Sequence, residues 1–177
     1  YTTAICKGNS LYQIALTFDD GPIIEKTEAI LDILKLNNIN ATFFCIGANV
    51  SKNPDILKRI NDEGHLVGNH SFSHHTLFDL FSKARMVKEI KNTNNLIYNL
   101  IGNYPKYFRP PYGVTTPVLA NAIEETKMAT IGWNIRSFDT ISKSNEKLLT
   151  TIKNKIKPGA IILLHDSSEI TASTIQD

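Results

Sequence analysis

Cysteine is scarce in this sequence: its 177 residues include two, Cys6 and Cys45. Neither has a Cys or His neighbour at a zinc-finger spacing, so a thiolate-held structural metal is excluded as the organising feature. The pair leaves two readings open, one disulfide in an oxidising compartment or two unpaired thiols. Long apolar runs are absent too. The longest, around Ile161 to Leu164, is strand-sized and falls far short of the roughly 18 residues of a membrane span. No block of lysine and arginine stands out either. With 19 basic against 17 acidic residues the formal charge is +2, which provides no electrostatic footprint for nucleic acid. Internal repeats, low-complexity tracts and linkers are missing as well. What remains, 42% hydrophobic and 20% charged residues, is the composition of a folded globular chain, and the length supports one sizeable core rather than two domains. The first residue is Tyr rather than Met, which leaves room for a leader or an upstream domain.

Periodicity divides the chain into alternating strands and helices. Gln13 to Phe18 reads as a short apolar strand stopped by Gly21-Pro22, directly after two carboxylates. Ala29, Ile30, Ile33 and Leu34 recur at helical spacing, and Asn40 to Ile46, rich in Thr and Phe, is the next strand. Asn53-Pro54 opens a helix that Gly64 ends, and His65 to Gly68 is extended. Ser82 caps a long helix with Met86, Ile90, Ile97 and Ile101 on one face. Lys106 to Arg109 is a strand, because Pro110 biases its predecessor away from helix. Thr116-Pro117 starts a helix to about Glu125, Ala129 to Trp133 is a strand, Leu148 to Ile156 is helical, and Ala160 to Leu164 is a buried strand. About seven strands interleaved with helices imply a parallel α/β fold, either a barrel or an open sheet. Asp19, Asp20, His70, Arg109, Asp139 and His165 all fall at or just beyond strand carboxyl ends, which favours a barrel-like rim of functional groups.

The chemistry begins with two pairs. His70-Ser71-Phe72-Ser73-His74 sets two imidazoles four residues apart, the spacing of one face of a helical turn, and a metal needs such neutral nitrogens with a further ligand. Asp19 and Asp20 are adjacent carboxylates at the end of an apolar strand, where their repulsion calls for a compensating cation. Singly, each pair has a bland alternative: surface histidines, or aspartates capping the next helix. His65 reads as a packed or hydrogen-bonded residue and His75 as exposed, and neither is a ligand.

Thr17-Phe18-Asp19-Asp20-Gly21-Pro22, His70 to His74, Arg109-Pro110-Pro111-Tyr112-Gly113 and Leu163-Leu164-His165-Asp166 together resemble the polysaccharide deacetylase family, the NodB-homology domain also classed as carbohydrate esterase family 4. The similarity runs in order from about Ile14 to Ser167. It implies a distorted, incomplete (β/α)7-type barrel, with residues 13–177 as the catalytic domain behind a lead-in segment of residues 1–12. Carried over, Asp20, His70 and His74 are the ligands of one divalent ion, zinc by preference with cobalt or nickel as alternatives. Asp19 is the base, Arg109 orients it and holds it ionised, and His165 is the acid. Asp139 stands behind the site as a hydrogen-bonding partner. Tyr112, Pro111, Leu163 and Trp133 are the expected substrate contacts, Tyr112 through its backbone N–H and Leu163 against the acetyl methyl.

Two departures stand out. The family's commonest fourth segment has an aspartate three residues after the tryptophan and an Asp-Trp pair beyond it; here Arg136 and Thr140 occupy two of those places, which loosens the expectation for substrate recognition. After His165 come 12 residues, where the resemblance implies a further helix and strand, so the last helix and strand are expected to be missing. The implied activity is hydrolytic deacetylation of a polysaccharide containing N-acetylglucosamine, peptidoglycan or chitin-like. O-Deacetylation of acetylxylan and non-catalytic carbohydrate binding on the same fold are the alternatives. A polysaccharide or oligosaccharide is the expected partner, with no nucleic acid, no membrane span, a monomeric state, and an extracellular or cell-envelope location.

Overall fold

A computed structural model describes residues 4–176. Seven strands, all parallel, form one curled sheet in the order β5-β4-β3-β2-β1-β7-β6. They are β1 (Ala15–Asp19), β2 (Thr42–Cys45), β3 (Leu66–Asn69), β4 (Tyr107–Phe108), β5 (Ala129–Thr130), β6 (Ile135–Arg136) and β7 (Ile161–His165). The helices are α1 (Lys26–Leu36), α2 (Gly47–Lys52), α3 (Pro54–Asp62), α4 (Lys83–Ile101), α5 (Pro117–Thr126), α6 (Asn145–Lys153) and α7 (Thr171–Gln176). The expected incomplete barrel is observed, with β5 and β6 as its two unjoined edges. A short helix, α7, follows β7 and packs against α1 and α6.

Strand alternation sorts the side chains into two layers. Phe18, Phe43, Cys45, Ile135, Ile162 and Leu164 face outward into a core shared with Leu31 and Leu34 of α1, Leu57 and Ile60 of α3, and Leu148 and Ile152 of α6. A second core joins Phe108 to Met86, Val87 and Ile90 of α4 and Leu119 and Ile123 of α5. The two helices that close it begin as the sequence suggests, with the Ser82 hydroxyl accepting from the Arg85 N–H and that of Thr116 from Leu119. The opposite parity, Thr17, Asp19, Leu163 and His165, is left for the inside of the half-barrel. Asp19 and His165 are register partners on adjacent strands, as are Thr17 and Leu163.

Three elements differ from the sequence reading. The strand expected over 129–133 is shorter, Ala129–Thr130; Ile131 still donates to Phe108 O at 2.9 Å and Gly132 to Ile5 O at 2.9 Å, and regular pairing ends at these two residues. Their carbonyls are taken by a side chain: Arg109 donates to Ile131 O at 3.3 Å and to Gly132 O at 2.9 Å. Helix α2 was not expected from the sequence; it has six residues, of which Gly47 and Val50 are buried, too few for a period to show. His70 to His74 is not a helical turn. Ser71 and His74 adopt left-handed φ values of 63° and 46°, and the segment is an irregular loop after β3. Cys6 is exposed, Cys45 is buried, and both are free thiols.

Candidate metal centre and acid–base site

Adjacent residues of a strand point to opposite faces, so Asp19 and Asp20 should diverge. They do not, because Asp20 has φ 86°, which reverses the chain and keeps both carboxylates at the carboxyl rim. The turn is pinned from outside: Asn49 of α2 donates to Asp20 O at 2.7 Å, and Ser167 Oγ donates to Asp20 Oδ2 at 3.0 Å. The histidine loop is pinned similarly. Asn69 Oδ1 accepts from the Ser71 N–H, Ser71 Oγ from the His74 N–H, and Glu89 Oε2 of α4 from the N–H groups of Phe72 and Ser73. None of Asn49, Asn69, Glu89 or Ser167 carried a sequence signal, since each acts through backbone geometry that the sequence does not display.

Asp20 Oδ1 lies 3.7 Å from both His70 Nε2 and His74 Nε2, and one donor atom from each of the three residues lies within 4.8 Å of the others. Tetrahedral ligands about 2.05 Å from zinc stand about 3.4 Å apart, so the two Asp20–histidine separations fit such an ion with a contraction of a few tenths of an ångström. The tautomer fits too. His70 Nδ1 lies 2.7 Å from Arg109 O, an acceptor, so Nδ1 carries the proton and the Nε2 lone pair is free. Burial, reinforced by His74, drives the His70 pKa down to about 3, which keeps the ring neutral across the working range.

Arg109 is fully buried and fills the inside of the half-barrel. It donates to Asp19 Oδ1 at 2.7 Å and to Thr17 Oγ1 at 2.8 Å, and it stacks 4.1 Å over the Phe44 ring. It pairs with Asp19 as expected, yet it does not lower that carboxyl overall. Burial raises the Asp19 pKa above 3.8 by more than Arg109 and His165 lower it. Behind His165 stands Asp139, also fully buried. Its Oδ1 lies 2.8 Å from His165 Nδ1, and its Oδ2 accepts from the His165 N–H at 2.6 Å and from Thr171 Oγ1 at 2.7 Å. Burial opposes the charge on His165, but the hydrogen bond and charge of Asp139 outweigh it, and the imidazole pKa is raised. Asp139 is the reverse case: burial works against its charge, and the His165 contacts win and lower its pKa.

These groups line a cavity of ≈ 280 Å³ that includes Asp19, Asp20, His70, His74 and His165 on one side and Tyr112, Trp133, Arg136, Thr140 and Leu163 on the other. Arg109 and Asp139 lie behind its wall, and Pro111 is buried and does not line it. Tyr112, at φ 58°, lays its ring 4.9 Å from His74. Gly113 has φ 71°, and a Cβ there would meet Trp133 Cη2 at 2.2 Å, so the bare backbone lets the indole close the cavity. A larger cavity, ≈ 370 Å³, opens at the opposite end beside His65 and Tyr104 and holds no comparable cluster of titratable groups. His65 is packed there, accepting from the Ala41 N–H, and His75 is exposed. Neither belongs to the metal centre.

The family model for polysaccharide deacetylases matches residues 9–131. The chain belongs to the polysaccharide deacetylase family. Its relatives in that family include a peptidoglycan-N-acetylglucosamine deacetylase of Bacillus cereus, 37% identical over 88% of this chain and 56% of the relative. Another is the peptidoglycan-N-acetylmuramic acid deacetylase PdaC of Bacillus subtilis, 36% identical over 93% of this chain and 34% of the relative. This polysaccharide deacetylase domain therefore spans about a third to a little over half of those relatives. Among solved structures, the Bc1960 peptidoglycan N-acetylglucosamine deacetylase superposes with a TM-score of 0.92 at 33% identity, covering 99% of this chain and 83% of that one. A pseudoenzyme of carbohydrate esterase family 4 from Bacillus anthracis superposes at 0.90 with 29% identity, over 99% and 62%. The family is metal-dependent in general, in keeping with the Asp20, His70 and His74 donor set.

Proposed function

We propose that this domain hydrolyses the acetamido group of a polysaccharide containing N-acetylglucosamine, of the peptidoglycan or chitin type, with a divalent ion held by Asp20, His70 and His74. Support comes first from one juxtaposition: a buried base, Asp19, and a carboxylate-backed imidazole, His165, are register partners beside the three ligand atoms. An ion there supplies water acidification and carbonyl polarisation, and zinc, cobalt and nickel all suit two imidazoles and one carboxylate.

The protein groups account for the proton traffic. Asp19, whose pKa burial raises, accepts the proton of the attacking water as its oxygen bonds to the acetyl carbon. Arg109 fixes the carboxylate in position through the 2.7 Å contact. Charge that builds on the carbonyl oxygen meets the Tyr112 N–H, and the methyl rests against Leu163. When the C–N bond breaks, the nitrogen takes its electron pair and a proton from His165 Nε2, because Nδ1 is committed to Asp139. Acetate and the free amine leave. An amide needs this acid more than an ester does, and the raised pKa of His165 keeps the acid form present near neutrality.

The fold alone does not carry activity, as the pseudoenzyme with the same architecture illustrates. The complete set of ligands, base and acid is what favours catalysis over binding alone. Polymers of this kind lie at the cell envelope, which supports an extracellular or envelope-associated location as part of the same reading. Acetate release from chitooligosaccharides, peptidoglycan glycan and acetylxylan, with added zinc, cobalt or nickel and with EDTA, tests the proposal. Release that requires metal and is lost in Asp19→Asn is expected, and absence of acetate from every substrate by folded, metal-loaded protein overturns it.

A further inference from the structure

Arg136 ends β6 and is in register with Leu163 of β7. Its neighbour Ile135 is buried in the outer core, so alternation sends the Arg136 side chain to the inside, where it lines the cavity. Every carboxylate around it is already engaged. Asp19 is held by Arg109, Asp139 by His165 and Thr171, and Asp20 by Ser167 and its place in the ligand set. The guanidinium of Arg136 has no carboxylate within 4.0 Å among the described residues. Its Cζ lies 5.0 Å from the centre of the Phe138 ring, and Lys155 Nζ lies 5.9 Å from the same ring.

Phe138 itself is 42% exposed and has φ 64°, an unfavourable conformation for a bulky side chain. Backbone strain of that kind persists where the surroundings use it. Here it lays a flat apolar surface under the guanidinium, leaving the planar donor edge free. An uncommitted, exposed arginine that lines the cavity is not neutralising the protein, since the carboxylates near it already have partners. Its five-donor fork matches a carboxylate in two parallel hydrogen bonds.

Resting on the deacetylase reading, we propose that Arg136 is the specificity residue of this pocket and pairs with a carboxylate that the glycan carries beside the reacting acetamido group. The sugar class that meets this requirement is muramic acid, whose lactyl ether sits on the carbon next to the one bearing the acetamido nitrogen. A free lactyl carboxylate exists only where the stem peptide has been removed. Where the peptide remains, its own carboxylates are the other source of the same chemistry.

The test compares three oligosaccharides of equal length: chitotetraose, peptide-free alternating N-acetylglucosamine and N-acetylmuramic acid, and the same glycan with stem peptides. Acetate release gives kcat/KM for each with the metal-loaded parent, Arg136→Gln and Arg136→Lys. Binding to EDTA-treated protein, by calorimetry, gives dissociation constants independent of turnover. The parent is expected to favour a carboxylate-bearing glycan over chitotetraose by about tenfold, the scale of one exposed charge-assisted pair. Arg136→Gln should bring that ratio to about one, Arg136→Lys should restore part of it, and rising salt should shrink it. A preference confined to the peptide-bearing strand supports the same pairing with the stem carboxylate as its source. If acetate is released but the ratio ignores Arg136→Gln, the inference falls and the deacetylase reading stands. If no substrate yields acetate, the deacetylase reading falls, and equal dissociation constants across glycans and variants overturn the pairing as well. Melting curves that coincide for all three proteins exclude misfolding as the cause.

Discussion

Asp166 follows His165 into the interior and has no exposed surface. Its Oδ2 accepts from Thr27 Oγ1 at 2.7 Å, while Oδ1 is buried without a partner. Gly21 is packed so closely against this carboxyl that a Cβ there would lie 1.9 Å from Oδ2. Burial raises the Asp166 pKa, Thr27 opposes it, and the charges of Asp20 and Asp19 add to it, so that the carboxyl titrates at about 7 against an ordinary 3.8. The folded protein therefore holds a proton that the unfolded chain has released. Stability from this group is fully present below the unfolded value and is lost as pH rises through the folded one. The window runs from 3.8 to about 7, and three units at about 1.4 kcal/mol each amount to about 4 kcal/mol. Asp166→Asn removes the titration with little change of shape. Its unfolding free energy relative to the parent should rise by about 4 kcal/mol between pH 4 and pH 8, roughly 10 °C in melting temperature for a chain of this size. Urea unfolding of both proteins in EDTA at half-unit pH steps measures this, and contributions from other groups cancel in the difference. Added zinc should reduce the rise, because a cation offsets the charges of Asp19 and Asp20. A stability difference that is flat with pH refutes the assignment of a buried, protonated carboxyl.

Arg109→Met removes the partner of a buried carboxylate and the donors to Ile131 and Gly132, and should destabilise the metal-free protein by roughly 3–5 kcal/mol in denaturant unfolding at pH 7; a change under 1 kcal/mol would refute the pinning role. Asp139→Asn removes what raises the His165 pKa, so the imidazole should titrate at lower pH by NMR and the alkaline limb of kcat/KM should move to lower pH with it. In the parent, the stabilisation from this pair is fully present between about 3.8 and about 6.5; it is lost as pH rises through the raised His165 value and as pH falls through the lowered Asp139 value, and the variant should lack it. Glu89→Gln weakens the anchor of the Phe72–Ser73 backbone, and zinc affinity by calorimetry should fall by about tenfold. Unchanged affinity would show that the loop keeps His74 in place without it.

Most of the long elements were readable because their buried faces repeat. Met86, Ile90 and Ile97 mark α4, and Phe18, Phe43 and Leu164 mark the central strands. The candidate site was readable because its residue types cluster at strand ends. What failed was local. The spacing of His70 and His74 suggested a helical turn, yet two left-handed residues produce the same convergence without a helix. Strand β6 has two residues, too few for alternation to be visible, and the carbonyls of Ile131 and Gly132 are taken by Arg109, which is distant in sequence. Arg136 stood out as a departure from a pattern, but its place inside the cavity follows from a register that no local feature announces.

A parallel strand delivers alternate side chains to the inside, so its rim position offers one functional group. β1 supplies Asp19 in this way, β7 supplies His165 and β6 supplies Arg136. A hydrolase with a metal, a base and an acid needs more groups than that, and the additional ones come from chain reversals just beyond the strands. Of the eight non-glycine residues with positive φ among those described, six lie on rim loops: Asp20, Glu25, Ser71, His74, Tyr112 and Phe138. Each such residue costs on the order of 1 kcal/mol, and regular extended backbone at Asp20 would turn its carboxylate away from Asp19. At Asp20, Ser71 and His74 the strain persists because Asn49, Ser167, Asn69 and Glu89 hold those two loops from outside. Those four residues accordingly help to set the geometry of the Asp20, His70 and His74 donor set.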